Sequence, residues 1–134
     1  MGYLLDTNIV SDLVRHPRTS RVREGIARVG EDAVHLSIIV AAELRYGATK
    51  KRSQRLTAQL EAVLGSLDVL PFEAPADAAY GLIRTRLEQA GTPIGGNDLL
   101  IAAQALAGGH TLVTADHGFA HIAELACENW LARS

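Results

Sequence analysis

Short apolar runs spaced along the chain, each followed by helical sequence, limit what it can fold into more than any other feature. YLLD (3–6), which reads as buried, VHLS (34–37), DVLPF (68–72) and TLVT (111–114) read as strands, and Pro71 marks the third as an edge strand or as the strand's end. Helical segments fill the intervals: TNIVSDLVR, then SRVREGIARV (20–29) with Val22, Ile26 and Val29 at helical spacing. IIVAAELRYGA follows the second run, with Ile39, Ala42, Glu43 and Tyr46 on one face, and an amphipathic helix over 52–66 comes next. A helix from Pro75 to about Ala90, closed by Gly91, and the strongly apolar DLLIAAQALA (98–107) complete the set. HGFAHI makes one helical turn, and LACENW (125–130) supplies a last edge strand. Strands that alternate with helices predict an α/β domain around a mostly parallel sheet of four or five strands. There is no internal repeat, low-complexity tract or linker, so one domain over 1–134 is expected.

Composition narrows the function classes only a little. Apolar residues make up 48% and charged residues 21%, the balance of a globular chain and not of a disordered one. No apolar run approaches the ~20 residues that span a bilayer, and the start MGYLLDTN has no basic, then long apolar, signal pattern. Cys127 is the only cysteine, which excludes an internal disulfide and a thiolate metal site; the expected compartment is the reducing cytoplasm. The net charge of −2 disfavours a protein that coats nucleic acid through its bulk field, but not an enzyme that touches a few phosphates.

Four acids carry the chemistry. In open α/β sheets ligands bind beyond the carboxyl ends of the strands. Asp6 ends the first strand, and Asp116 lies two residues past the fourth. Glu43 stands about two turns into the helix after the second, and Asp98, beside Asn97, opens the buried helix. Each has a plain alternative: Asp6 as a helix cap, Asp98 as a partner of the helix dipole, Glu43 as a surface residue, Asp116 as a turn residue. Glu43 has no basic residue three or four positions away to explain it. Together the four pose an electrostatic problem, since two carboxylates ~4 Å apart at a dielectric near 20 repel by roughly 4 kcal/mol. Either some take up protons or a divalent cation neutralises them. All-oxygen ligands suit Mg²⁺ or Mn²⁺, and the natural reaction is phosphodiester hydrolysis.

Two further groups of residues stay open on sequence alone. RYGATKKRSQR (45–55) places Arg45, Lys50, Lys51, Arg52 and Arg55 just beyond Glu43, either to hold RNA phosphates or as a solvated helix face. HPRTSRVR (16–23) is a second basic stretch that reads as surface. His117 and His121 stand four apart, a spacing that can clasp a transition metal on a helix, while His35 and His110 read as structural. Six aromatic residues, with no interleaved stripe, do not make a base-stacking platform.

The chain resembles the PIN-domain ribonucleases, specifically the VapC toxins of type II toxin–antitoxin modules. LLDTN (4–8), SIIVAAELRYG (37–47), PIGGNDLLIAAQA (93–105), LVTADHGF (112–119) and ENW (128–130) carry the resemblance, in the family's order and over essentially the whole chain. It implies a PIN-like α/β/α sandwich, four acids around Mg²⁺ or Mn²⁺, and endoribonuclease activity. By motif, the family's acidic positions fall on Asp6, Glu43, Asp98 and Asp116, with Thr7, Asn8 and Thr114 orienting them. The family's fourth motif often holds Asn or Arg after its threonine and an acid before its phenylalanine; Ala115 and Gly118 stand there, so Asp116 is the only acid of that segment. Its contact with a metal is therefore expected to be weak or through water. The resemblance further implies a homodimer and a VapB-type antitoxin whose C-terminal segment crosses the groove, with promoter DNA engaged only through that antitoxin.

The function expected is thus a Mg²⁺-dependent endoribonuclease toxin. In it Asp6 and Asp98 hold the ion, Glu43 positions or deprotonates the water, and Asp116 completes the pocket or recruits a second ion. A solitary PIN-type RNA-processing nuclease is the alternative. A small-molecule phosphohydrolase fits less well, because LLDTN lacks the second Asp two residues on that aspartyl-nucleophile phosphatases use. A non-catalytic regulator of its own promoter is disfavoured by the intact set of four acids.

Overall fold

The computed structural model describes residues 2–132. Strand β1 (Tyr3–Leu5) is followed by helices α1 (Thr7–Arg15) and α2 (Val22–Val29), and a 3-10 turn leads into β2 (Val34–Ser37). Helices α3 (Ile38–Lys51) and α4 (Gln54–Ser66) precede β3 (Asp68–Leu70), and α5 (Ala76–Gln89) and α6 (Gly96–Gly108) precede β4 (Thr111–Val113). A second 3-10 turn over His117–His121 leads to β5 (Cys127–Glu128). The five strands form one sheet in the order β3-β2-β1-β4-β5. Every pairing is parallel, with Tyr3 opposite Val34 on one side and Thr111 on the other. The expected α/β class therefore holds, with five strands and no antiparallel member among the described residues.

Strand β1 lies in the centre because it can be buried on both faces. Leu4 and Leu5 are fully buried, as are Leu36 of β2 and Leu112 and Val113 of β4. Helix α6 covers the sheet with an apolar surface, burying Leu99, Ile101, Ala102, Ala103 and Ala105. Gln104, the polar residue in that run, sends its side-chain amide to the carbonyls of Leu70 (3.1 Å) and Pro71 (3.0 Å). The third strand consequently stops at Leu70, two residues short of expectation. Pro71 has no N–H to continue the ladder, and the carbonyls at the strand end are bonded to α6 instead.

Capping chemistry shifts the other boundaries. Helix α3 continues to Lys51, three residues past the expected end, and turns at Arg52 in a left-handed conformation (φ 53°). Ser53 then caps α4, its hydroxyl accepting from the Leu56 N–H at 3.1 Å, so this helix starts at Gln54 and not at 52. Gly91 closes α5 as expected: at φ 73° it lets its own N–H reach the Glu88 carbonyl (3.1 Å) while Thr92 N–H reaches Leu87 (2.9 Å). That pair of bonds is a Schellman closure. Among the described residues no helix is long and apolar enough to cross a membrane.

Candidate active site

Strand order decides where the site lies. From β1 the chain moves to β2 on one side, while β4 occupies the other, so β1 and β4 flank the point at which the winding reverses. A crevice opens beyond the carboxyl ends of the strands at such a point. Asp6 leaves β1 there, tied to the neighbouring strand by its N–H on the Val113 carbonyl at 2.9 Å.

Asp6 is almost fully buried, at 3% exposure, yet both of its carboxylate oxygens have donors. Oδ1 accepts from the Thr7 N–H (2.7 Å), capping α1, and Oδ2 accepts from the Thr114 hydroxyl (2.7 Å). A carboxylate offers about four lone-pair positions, so two remain for another ligand. The same Thr114 oxygen accepts from the Asp116 N–H at 3.0 Å. One hydroxyl thus links the loops that follow β1 and β4. Thr7 repeats this arrangement across the crevice, its hydroxyl donating to Glu43 Oε1 at 3.1 Å. Glu43 finds its partner in another helix, which is why none was visible at helical spacing.

The remaining acids complete the edge. Asp98 is half-buried in the first turn of α6, which begins at Gly96, two residues earlier than expected. Asp116 is exposed and caps the 3-10 turn, with Oδ1 accepting from the Gly118 N–H at 2.8 Å. A Cβ at Gly118 would stand 3.2 Å from that same oxygen, so the glycine lets the cap close tightly. Asn8 is exposed, and its side chain forms no hydrogen bond among the described residues.

The four acids lie close enough for the charges of Asp6, Glu43 and Asp116 to act on Asp98. Burial pushes the Asp98 carboxyl up to about 6, reinforced by the charges of Asp6, Asp116 and Glu43. Burial also raises Asp6; the Thr114 and Thr7 hydrogen bonds oppose this, and the charges of Asp116 and Glu43 add to it. Burial and mutual repulsion both penalise the ionised carboxylates, and a cation would relieve both. The donor set is all oxygen, which fits a hard divalent ion. Among the described residues no group of three or more His, Cys, Asp or Glu side chains is drawn close enough together to hold a metal ion by itself. The acids share a field and an edge, and the hydroxyls of Thr7 and Thr114 hold two of them in place.

The other candidates separate. His117 and His121 lie in a 3-10 turn, where residues three apart eclipse, so the fourth points about a third of a turn away. His35 bonds Asp68 through Nδ1 at 2.9 Å and packs at a tilt against His110, ring centres 5.2 Å apart, the structural role expected of both. Arg45 leaves the basic run, because Glu61 of α4 binds it with two bonds of 2.9 and 2.8 Å. No periodic signal joins residues so far apart, and Arg45 is a tie between α3 and α4.

An all-parallel sheet in this order, with acids gathered at its switch point, is that of a PIN domain, and the family model described as PIN domain matches residues 3–125. Ribonuclease VapC2 of Rickettsia felis is 41% identical over 134 residues, which span 97% of this chain and 98% of the relative. The tRNA(fMet)-specific endonuclease VapC of Shigella flexneri is 32% identical over 97% of this chain and 98% of its own. Among solved structures, VapBC2 from Rickettsia felis bound to a DNA fragment from their promoter superposes with a TM-score of 0.85 at 40% identity, covering 97% of this chain and 99% of that one. The chain belongs to the PIN-domain family and, within it, to the VapC-type ribonuclease toxins of VapBC toxin–antitoxin systems.

Proposed function

We propose that Asp6, Glu43, Asp98 and Asp116 are the catalytic acids of this ribonuclease, and that they bind Mg²⁺, with Mn²⁺ able to replace it. The observation that carries this reading is the meeting of the four acids at one sheet edge, where burial first, and then the charges of Asp6, Asp116 and Glu43, push Asp98 up to about 6. A bound divalent ion supplies an activated water and polarises a phosphoryl oxygen. The chain's own groups do the rest. Asp6 and Asp98 are the principal ligands, and the Thr114 hydroxyl keeps the Asp6 carboxylate turned to the crevice. Glu43, oriented by the Thr7 hydroxyl, accepts the proton of the attacking water. Asp116 is bonded to Gly118 and exposed, and it lines the open side as a weaker or water-mediated ligand or recruits a second ion. RNA enters as a single-stranded or looped segment, because such segments let bases splay and expose a phosphodiester to the edge.

In this reading the toxin is one PIN domain over 1–134, acts in the cytoplasm and is neutralised by a VapB-type antitoxin that alone contacts promoter DNA. VapBC2 from Rickettsia felis bound to a DNA fragment from their promoter, and DNA-bound VapBC from Salmonella typhimurium, support that partnership. A homodimer is supported by Ile38 and Tyr46 on α3 and Leu82 on α5, large apolar side chains left 40%, 65% and 68% exposed.

Asp6→Asn tests the assignment. It keeps the size and one of the two hydrogen-bond acceptors, but removes the charge. Mg²⁺-dependent RNA cleavage and growth inhibition should be lost, with an unchanged circular dichroism spectrum. Full nuclease activity in the purified variant would overturn the proposal.

A further inference from the structure

The far ends of the helices that leave the acidic edge carry an unpaired cationic surface. Helices α1 and α3 both begin at the carboxyl edge of the sheet, beside Asp6 and Ser37, and run away from it. Arg15 closes α1, Lys51 closes α3, Arg52 holds the left-handed corner and Arg55 opens α4. Arg15 and Lys51 line the same small cleft, of about 50 Å³, with Ser11 and Gly47. All four cations are exposed, and among the described residues none forms an ion pair. This contrasts with Arg28, Arg45, Arg84 and Arg86, each of which has a carboxylate partner. Lys50 at the margin lies 5.8 Å over the Tyr46 ring.

We infer that Arg15, Lys51, Arg52 and Arg55 form a phosphate-backbone site for the RNA substrate, separate from the acidic centre. The inference rests on the ribonuclease reading of that centre. A crevice with four acids repels a polyanion, so binding strength must come from cations outside it. Eight residues of helix separate Glu43 from Lys51, about 12 Å at 1.5 Å per residue. The surface therefore meets the strand at phosphates a few nucleotides from the cut. A cation near a helix C-terminus also offsets the negative end of the dipole, which explains Arg15 or Lys51 singly. It does not explain four unpaired cations at the meeting point of three helices. Arg15 joins the group only in three dimensions, being 36 positions from Lys51 in a chain whose contiguous basic run begins at Arg45.

The test is the triple variant Arg15→Gln, Lys51→Gln, Arg55→Gln, which leaves Arg52 at its strained corner. Cleavage by the free toxin is measured on a long single-stranded RNA and on a tetranucleotide that spans only the cut. On the long RNA, KM should rise about tenfold and the log KM–log salt slope should flatten by about 2, with kcat unchanged. On the tetranucleotide both constants should match wild type. Unchanged KM and salt slope on the long RNA would overturn the inference. So would equal losses on both substrates, which would place the effect at the acidic centre, or weakened antitoxin binding with normal RNA kinetics, which would make the surface a protein dock. If the triple variant fails to fold, the single variants Lys51→Gln and Arg55→Gln are read the same way, each with about a third of the slope change. Should wild type itself show no divalent-dependent cleavage, the proposed catalytic reading fails and not this surface alone.

Discussion

The Thr114 hydroxyl donates to Asp6 and accepts from the Asp116 N–H, so a single oxygen holds two loops in register. Valine at this position keeps the shape and removes both bonds. Thr114→Val should lower kcat by about 10- to 100-fold, the usual effect of losing a group that orients a ligand. It should also destabilise the fold by about 1–2 kcal/mol, because Asp6 would keep a buried oxygen without its donor. Thr114→Ser should restore most of both, and a valine variant with wild-type kcat would show that Asp6 needs no such support. Arg45 teaches the opposite lesson at the same scale. It stands in the most basic stretch of the chain, yet Glu61 takes one edge of its guanidinium through Nε and Nη2, a pairing that local charge density does not reveal.

Helix α2 shows how an element is fixed from outside itself. It has no side-chain cap at its N-terminus and buries only Val22 and Gly25. The C-terminal Trp130 lies against it, 7% exposed, with its indole N–H donating to Glu128 at 2.9 Å. Arg28 lies 5.5 Å over that ring, and the Tyr3 ring packs against it at a tilt, 5.5 Å between centres. A methyl at Gly25 would overlap the indole, so the glycine is what lets α2 and the tail approach. Gly25→Ala should therefore cost about 1–3 kcal/mol through overpacking. Trp130 is the only tryptophan, so its emission reports the site directly. The variant should show a lower urea midpoint and a red-shifted spectrum; an unshifted spectrum at full stability would mean that the tail is not seated on α2.

Across the whole molecule, two ends of the sheet respond to acid in opposite senses. At the carboxyl edge Asp98 titrates near 6 in the fold against 3.8 unfolded. Above pH 6 the folded state carries a penalised charge; as pH falls from 6 to 3.8 the fold takes up that proton first, and stability is regained. At the other end His110 is pushed below 6.5 by burial, by His35 beside it and by the amino terminus. As pH falls below 6.5 the unfolded chain binds that proton first, and stability is lost. Asp98→Asn should thus stabilise the metal-free protein at pH 7.5 by about 1 kcal/mol, allowing for solvent screening of a half-buried group. The gain should vanish towards pH 4. His110→Gln should lessen the loss of stability between pH 7 and 5. Urea midpoints measured across pH check both, and parallel curves for wild type and Asp98→Asn would remove the electrostatic basis of the proposed metal site.

Element types and their order were legible because period and length are local properties: a three-residue apolar run beside Asp6 cannot be a helix, and DLLIAAQALA cannot be anything exposed. Boundaries moved wherever a cap or a proline set them, as at Ser53, Arg52 and Pro71, since a single hydrogen bond decides those. The acidic residues were visible as candidates by their positions after strands. Only the tertiary structure decided that β4 lies beside β1, which brings Thr114 onto Asp6 across 108 positions of sequence. It also decided that Glu61 withdraws Arg45 while Arg15 joins Lys51. The physical reason is the same in each case: partners for charge and hydrogen bonds are chosen by distance in space, and periodicity along the chain carries no record of which strands become neighbours.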